Sequence, residues 1–90
     1  MANYRIEVSA TAEKQIRKLG KKDQIAVLRG IRQLSTEPRP PNSRKMSGYD
    51  DVYRIRVGQY RVLYSVENKK LVIIILKVGR RRDVYRQFTR

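Results

Sequence analysis

Between Val52 and Glu67 apolar and basic residues alternate, and the alternation is interrupted once, at Gly58-Gln59. Alternation of this kind is the signature of a strand with one covered face. A Gly-X pair between two such runs suits the two-residue connection of a type II′ hairpin. The register then follows: Val57 faces Tyr60, Arg56 faces Arg61, Ile55 faces Val62 and Arg54 faces Leu63. Tyr53, Ile55, Val57, Tyr60, Val62 and Tyr64 share one face, while Arg54, Arg56, Arg61 and Leu63 share the other. The first set needs a cover. The second places like charges directly opposite one another, which destabilises a strand pair. A local rule broken without local gain points to a functional face.

The cover must come from the rest of the chain. Asn3–Val8 alternates, with Tyr4, Ile6 and Val8 on one side, and reads as a half-buried strand. Ser9 stands where a helix N-cap would, Glu13 lies in the first turn, and Ala12, Ile16 and Leu19 repeat at helical spacing. Gly20 is expected to close this helix as a C-terminal cap. Lys21–Lys22 then form the link and Asp23 caps a second helix, whose stripe is Val27, Ile31 and Leu34, flanked by Ile25 and Leu28. Gly30 inside that pattern costs about 1 kcal/mol relative to alanine, so another element is expected to approach closely there. Pro38 stops the helix, and the short link makes the pair an antiparallel hairpin.

Glu37–Asp51 carries three prolines and a glycine and reads as a long irregular loop, with Arg39, Arg44 and Lys45 adding positive charge. After Glu67, Asn68-Lys69 is expected to turn the chain into a third strand, Lys70–Val78. Its run Leu71–Leu76 does not alternate, as in a central strand with both faces apolar. Val72, Ile74 and Leu76 would then floor the arginine face. The fold class is α+β: an N-terminal strand, a two-helix antiparallel hairpin, then a three-stranded antiparallel meander completing a small sheet packed on the helices, all in one domain spanning residues 1–90.

Charge narrows the function. Twenty-two Lys and Arg against eight acids give a net charge of +14, and from Arg54 to Arg90 eleven basic residues meet only Glu67 and Asp83. Such a surface suits a polyanion or an acidic protein partner. Histidine and cysteine are absent, which removes the commonest general base and the commonest soft metal ligands. No carboxylate cluster suggests a metal site, and no cofactor is expected. The N-terminus lacks the apolar run of a signal peptide, and no stretch reaches the ~18 apolar residues of a membrane span, so a cytoplasmic location is expected.

Arginine binds phosphate bidentately and stays protonated, so several arginines around one phosphate can stabilise the extra charge of its transition state. RNA brings its own nucleophile, the 2′-OH, and its in-line attack would leave a 2′,3′-cyclic phosphate without a metal. Arg80, Arg81 and Arg82 follow the last strand, near the arginine face, and Tyr85 could stack on a base beside them.

KMSGYDDVYRIRVGQYRVLY, the apolar strand after it and VGRRRDVY resemble the RelE toxins of the RelE/ParE toxin–antitoxin superfamily, and the strand and helix pair before them fit the same family. The resemblance covers nearly the whole chain, and its most specific part is the R-x-G-x-Y-R-V-x-Y core beginning at Arg56. It implies an endonuclease that cuts mRNA in the ribosomal A site and is held inactive by a cognate antitoxin. By the same resemblance Arg61 holds the scissile phosphate, Arg81 acts as general acid or phosphate stabiliser, and Tyr85 orients the nucleotide. Arg54 and Arg56 occupy positions that well-known members fill with lysine, one of them a proposed base. Arginine gives up its proton far less readily than lysine, so the base is left open between Asp50 or Asp51 and a ribosomal group, with Arg56 acting electrostatically. Arg44, Lys45, Arg80 and Arg82 are expected to bind RNA or ribosome. The expected partners are the ribosome, mRNA and an acidic, partly disordered antitoxin. A ParE-like inhibitor of DNA gyrase and a non-catalytic ribosome- or RNA-binding module are the alternatives.

Overall fold

The structure, a computed structural model, describes residues 3–80. The chain runs β1 (Arg5–Val8), α1 (Ala10–Arg17), α2 (Lys21–Gln33), β2 (Arg44–Lys45), β3 (Val52–Val57), β4 (Tyr60–Glu67) and β5 (Val72–Arg80). One sheet orders the strands β1-β5-β4-β3-β2. β1 joins β5 in parallel, and every other pairing is antiparallel. The helices cover one face. Ala12 and Ile16 of α1, Val27 and Ile31 of α2, and Leu34 pack against Ile55, Val62, Tyr64, Val66, Ile73, Ile75 and Val78.

The β3–β4 hairpin has the register that its sequence dictates, with Arg56 opposite Arg61 and Val57 opposite Tyr60. Gly58 takes φ +59°, the left-handed first position that a type II′ turn requires and glycine accepts without strain. Gly30 lies where α2 meets β3: a Cβ there would stand 2.9 Å from Val57 Cγ2.

Five local expectations are corrected. Gly20 is not a left-handed C-cap. Lys18 caps α1, while Gly20, extended at φ −61° and ψ 157°, is the N-cap of α2. The two lysines therefore lie inside α2, and Asp23 belongs to its first turn instead of capping it. α2 also ends at Gln33, before Pro38 could stop it, in a turn where Leu34 and Ser35 donate to Ile31 and Arg32 carbonyls. The 37–51 loop is not wholly irregular, because Arg44 and Lys45 pair with Arg54 and Tyr53 as a two-residue edge strand. Finally, Glu67 faces Val72, so the last hairpin closes through Asn68–Leu71 with Leu71 at φ 55°, not through a two-residue turn. The shift is an even number of residues, and Val72 and Ile74 keep their expected face.

One irregularity changes which residues reach the arginine face. Tyr64 faces Ile75 but Leu63 faces Lys77, so Leu76 is an extra residue and β5 is bulged. α1 holds this bulge. Ser9 Oγ accepts from Ala12 N as the helix cap and donates to the Leu76 carbonyl at 3.0 Å. Gln15 Oε1 accepts from Val78 N at 2.7 Å. Beyond the bulge the faces exchange: Val78 enters the core and Lys77 leaves it.

The start of the long loop is clasped to the sheet. Arg39 Nε donates to Tyr53 Oη and its Nη2 to Asn68 Oδ1, both at 3.0 Å, and Tyr4 donates to the same Asn68 oxygen. Tyr64 donates to the Pro38 carbonyl at 2.7 Å. Arg39 thus ties loop to sheet, and its hydrogen bond to Tyr53 holds the guanidinium further above its ordinary pKa.

Candidate functional site

Cross-strand partners share a face, so the registers can be read across the sheet as rows. One row on the side away from the helices runs Arg44, Arg54, Leu63, Lys77. The next, nearer the Gly58-Gln59 turn, runs Arg56, Arg61, Gly79. Leu63 is fully buried yet stands apart from the core under the helices, as expected for the floor of a second surface. Its neighbours in the row, Arg54 and Lys77, are basic, and the stems of such side chains cover apolar surface. Arg61 and Lys77 are 8% and 6% exposed, whereas Arg44 and Arg56 are exposed.

Gly79 opposite Arg61 leaves no side chain on that side, and an open cleft of about 390 Å³ forms there, lined by Arg56, Gly58, Gln59, Arg61 and Arg80. Arg80 pairs with Tyr60, and its guanidinium carbon lies 5.8 Å from the centroid of the Tyr60 ring. Arg56 and Arg61 thus meet at the cleft from neighbouring strands, and Arg80, whose partner Tyr60 belongs to the helix side, borders it at the end of β5. Geometrically the cleft can receive a phosphodiester; among the described residues no group of three acids could hold a metal ion.

Residues 6–85 match the family described as the ParE toxin of type II toxin–antitoxin system, parDE. Toxin RelG of Mycobacterium tuberculosis is 31% identical over 88 residues, covering 93% of this chain and 98% of that protein. The mRNA interferase toxin RelE of Escherichia coli is 29% identical over 80 residues, covering 87% of this chain and 83% of that protein. Among solved structures, the archaeal RelE–RelB complex from Pyrococcus horikoshii superposes with a TM-score of 0.80 at 35% identity, covering 90% of this chain and 98% of the other. The chain belongs to the RelE/ParE toxin superfamily. Its similarity to RelE- and RelG-type toxins spans almost their whole length.

Among the residues expected at the site of this RelE/ParE protein, Arg54, Arg56 and Arg61 share one face, and Arg80 joins the latter two at the cleft. Arg44 joins that face through its pairing with Arg54. Lys45 pairs with Tyr53 and so belongs to the opposite face. Arg81, Arg82 and Tyr85 lie outside the described residues. Asp50 and Asp51 precede β3, at its far end from the turn. At ~3.3 Å per residue, the five residues from Asp51 to Arg56 span ~17 Å. Lys77 joins the arginine face through its pairing with Leu63, against the sequence expectation. Its one signal is a lone lysine in the apolar run of β5, and strict alternation would have sent it into the core.

Proposed function

We propose that this protein is the toxin of a toxin–antitoxin pair and cleaves mRNA on the ribosome. The observation that carries the reading is Arg56 directly opposite Arg61 at a cleft that Arg80 also lines. Like charges directly opposite one another destabilise a strand pair, whereas a phosphate between the guanidinium groups relieves the repulsion. The name of the Escherichia coli relative, an mRNA interferase, supports the same reading.

In the reaction, Arg61 grips the scissile phosphate and Arg54 and Arg56 neutralise the charge that develops on its oxygens. The 2′-OH of the preceding ribose attacks phosphorus in line, the bond to the 5′-oxygen breaks, and a 2′,3′-cyclic phosphate remains. Arg81 donates to or stabilises the leaving oxygen, and Tyr85 stacks on the nucleotide. The step needs no metal. Its base is supplied by the ribosome or substrate, because Asp50 and Asp51 begin ~17 Å away along β3. Arg44, Lys45, Arg80 and Arg82 add salt-dependent affinity for RNA. An acidic antitoxin segment screens the basic face in the resting cytoplasm, a partnership suggested by the RelE–RelB complex.

Toeprinting on programmed ribosomes tests this. Wild-type protein should give cuts within translated codons, and Arg61→Ala with Arg81→Ala should abolish them. Absence of cutting by the wild type, or undiminished cutting by the double variant, refutes it. The match to the ParE family favours one second reading, inhibition of DNA gyrase. Loss of supercoiling by purified gyrase in the presence of this protein would select that reading instead.

A further inference from the structure

The tip of the hairpin carries a feature that neither the core nor the arginine rows explain. Asp23, in the first turn of α2, accepts a hydrogen bond at 3.0 Å from the hydroxyl of Tyr60. Tyr60 packs partly buried against the core, and Arg80 lies over its ring. A hollow of about 220 Å³ lined by Asp23, Tyr60, Gln59 and Arg80 adjoins the arginine cleft, with which it shares Gly58, Gln59 and Arg80. Asp23 does not act as the cap of its helix, so its carboxylate is available to the tyrosine.

The chemistry gives this chain of contacts a direction. Arg56 and Arg61 repel a third guanidinium, and a side chain at the end of a strand would turn away into water. An aromatic face opposes that, because its quadrupole attracts a cation. The attraction is useful only if the ring is fixed. A carboxylate acceptor gives a stronger bond than a neutral one and draws negative charge toward the ring. Asp23 stands in the first turn of α2, where an acidic side chain complements the helix dipole.

We propose that Asp23 is a positioning residue: through Tyr60 it holds the Arg80 guanidinium at the mouth of the arginine cleft, ready for a second phosphate of the RNA strand. The inference deepens the RNA-cleavage reading and rests on it. Asp23 touches no substrate. It sets the place of a group that does.

The test couples the residues in pairs. Single-turnover cleavage on programmed ribosomes is measured for the wild type, Asp23→Ala, Tyr60→Phe, Arg80→Gln and the double variant Asp23→Ala with Arg80→Gln, at a temperature where melting curves show every variant folded. Asp23→Ala and Tyr60→Phe should each lower kcat/KM about two- to fivefold, the range of an exposed cation–π contact. In the Arg80→Gln background Asp23→Ala should have no further effect. An equal loss in both backgrounds, or none in the wild-type background, overturns the inference. Binding of a single-stranded RNA oligonucleotide separates this from failure of the cleavage reading. The slope of log affinity against log salt should fall by about 0.7 for Arg80→Gln and by part of that for Asp23→Ala. Equal slopes for wild type and both variants overturn the inference whether or not the wild type cuts mRNA.

Discussion

The two faces of the β3–β4 hairpin are built from alternating residues of the same strands and answer to opposite rules. On the helix side Ile55, Val62 and Tyr64 are buried against α2, and the Tyr64 hydroxyl finds the Pro38 carbonyl. Among the described residues no buried side-chain polar atom there or elsewhere lacks a partner. On the other side Arg56 faces Arg61 and Arg54 follows two residues along. The first face holds the fold together, and the second carries the charge on which the proposed function rests.

If that division holds, substitutions on the two faces should separate stability from activity. Ile73→Ala, in the middle of the core, should cost about 2–5 kcal/mol in urea unfolding and leave cleavage per folded molecule unchanged. Arg61→Ala should lower cleavage about 10²- to 10³-fold, the loss typical of removing one group aimed at developing charge. Core loss that altered cleavage chemistry in a fully folded sample would break the division.

The core face also has a pH signature. Burial pushes the Tyr64 hydroxyl up to about 12, with a hydrogen bond from Ser43 opposing the rise. The unfolded chain releases this proton near its ordinary value of ~10. Below that pH both states hold it and the contribution is full. Between ~10 and about 12 the unfolded state binds fewer protons, so unfolding becomes easier as pH rises. The total loss should approach about 2–3 kcal/mol by pH ~12. Tyr64→Phe should flatten that part of the stability profile, and an unchanged slope would assign it to another group.

Gly30 probes the packing distance between the layers. Alanine favours the helix by up to ~1 kcal/mol, but its Cβ would meet Val57 Cγ2 at 2.9 Å. Overpacking of this kind costs about 1–3 kcal/mol, so Gly30→Ala should be destabilising by about 1 kcal/mol net. Combined with Val57→Ala it should cost less than the two single changes summed, and strict additivity would show that the layers do not touch there.

The elements legible in the sequence are those fixed by neighbours in the chain. Alternation and Gly58 set the hairpin register, and helical spacing set the stripes Ala12–Ile16 and Val27–Ile31–Leu34. What was not legible depends on groups far apart. The bulge at Leu76 rests on Ser9, 67 residues away, and on Gln15. It decides that Lys77 joins the arginines. Asp23 looked like a cap because its other partner, Tyr60, lies 37 residues further on. The strand at Arg44–Lys45 exists because β3 offers an edge, and Leu71 at φ 55° closes a turn in a conformation that no local signal assigns to leucine. Arg56 and Arg61 are legible because both flank one short turn. Arg80 needed the β4–β5 register to be placed on Tyr60.

The smallest effect tests the comparison most directly. Arg56 is exposed and faces Arg61 on the neighbouring strand. Arg56→Gln keeps most of the side-chain length and removes the charge. Because like charges directly opposite one another destabilise a sheet, the variant should be more stable than the wild type by about 0.2–1 kcal/mol at low salt. Salt should erase the gain, since screening shortens from ~10 Å at 0.1 M to ~3 Å at 1 M. Cleavage should fall at the same time. A core residue cannot behave in this way, because removing a satisfied contact lowers stability at every ionic strength. Unfolding curves at two salt concentrations therefore decide the matter. If Arg56→Gln loses stability at both, Arg56 belongs to the fold and the arginine face differs from the core only in composition. If it gains stability at low salt alone, the charge on this face is maintained against the interest of folding, and the reason for it lies in what the face binds.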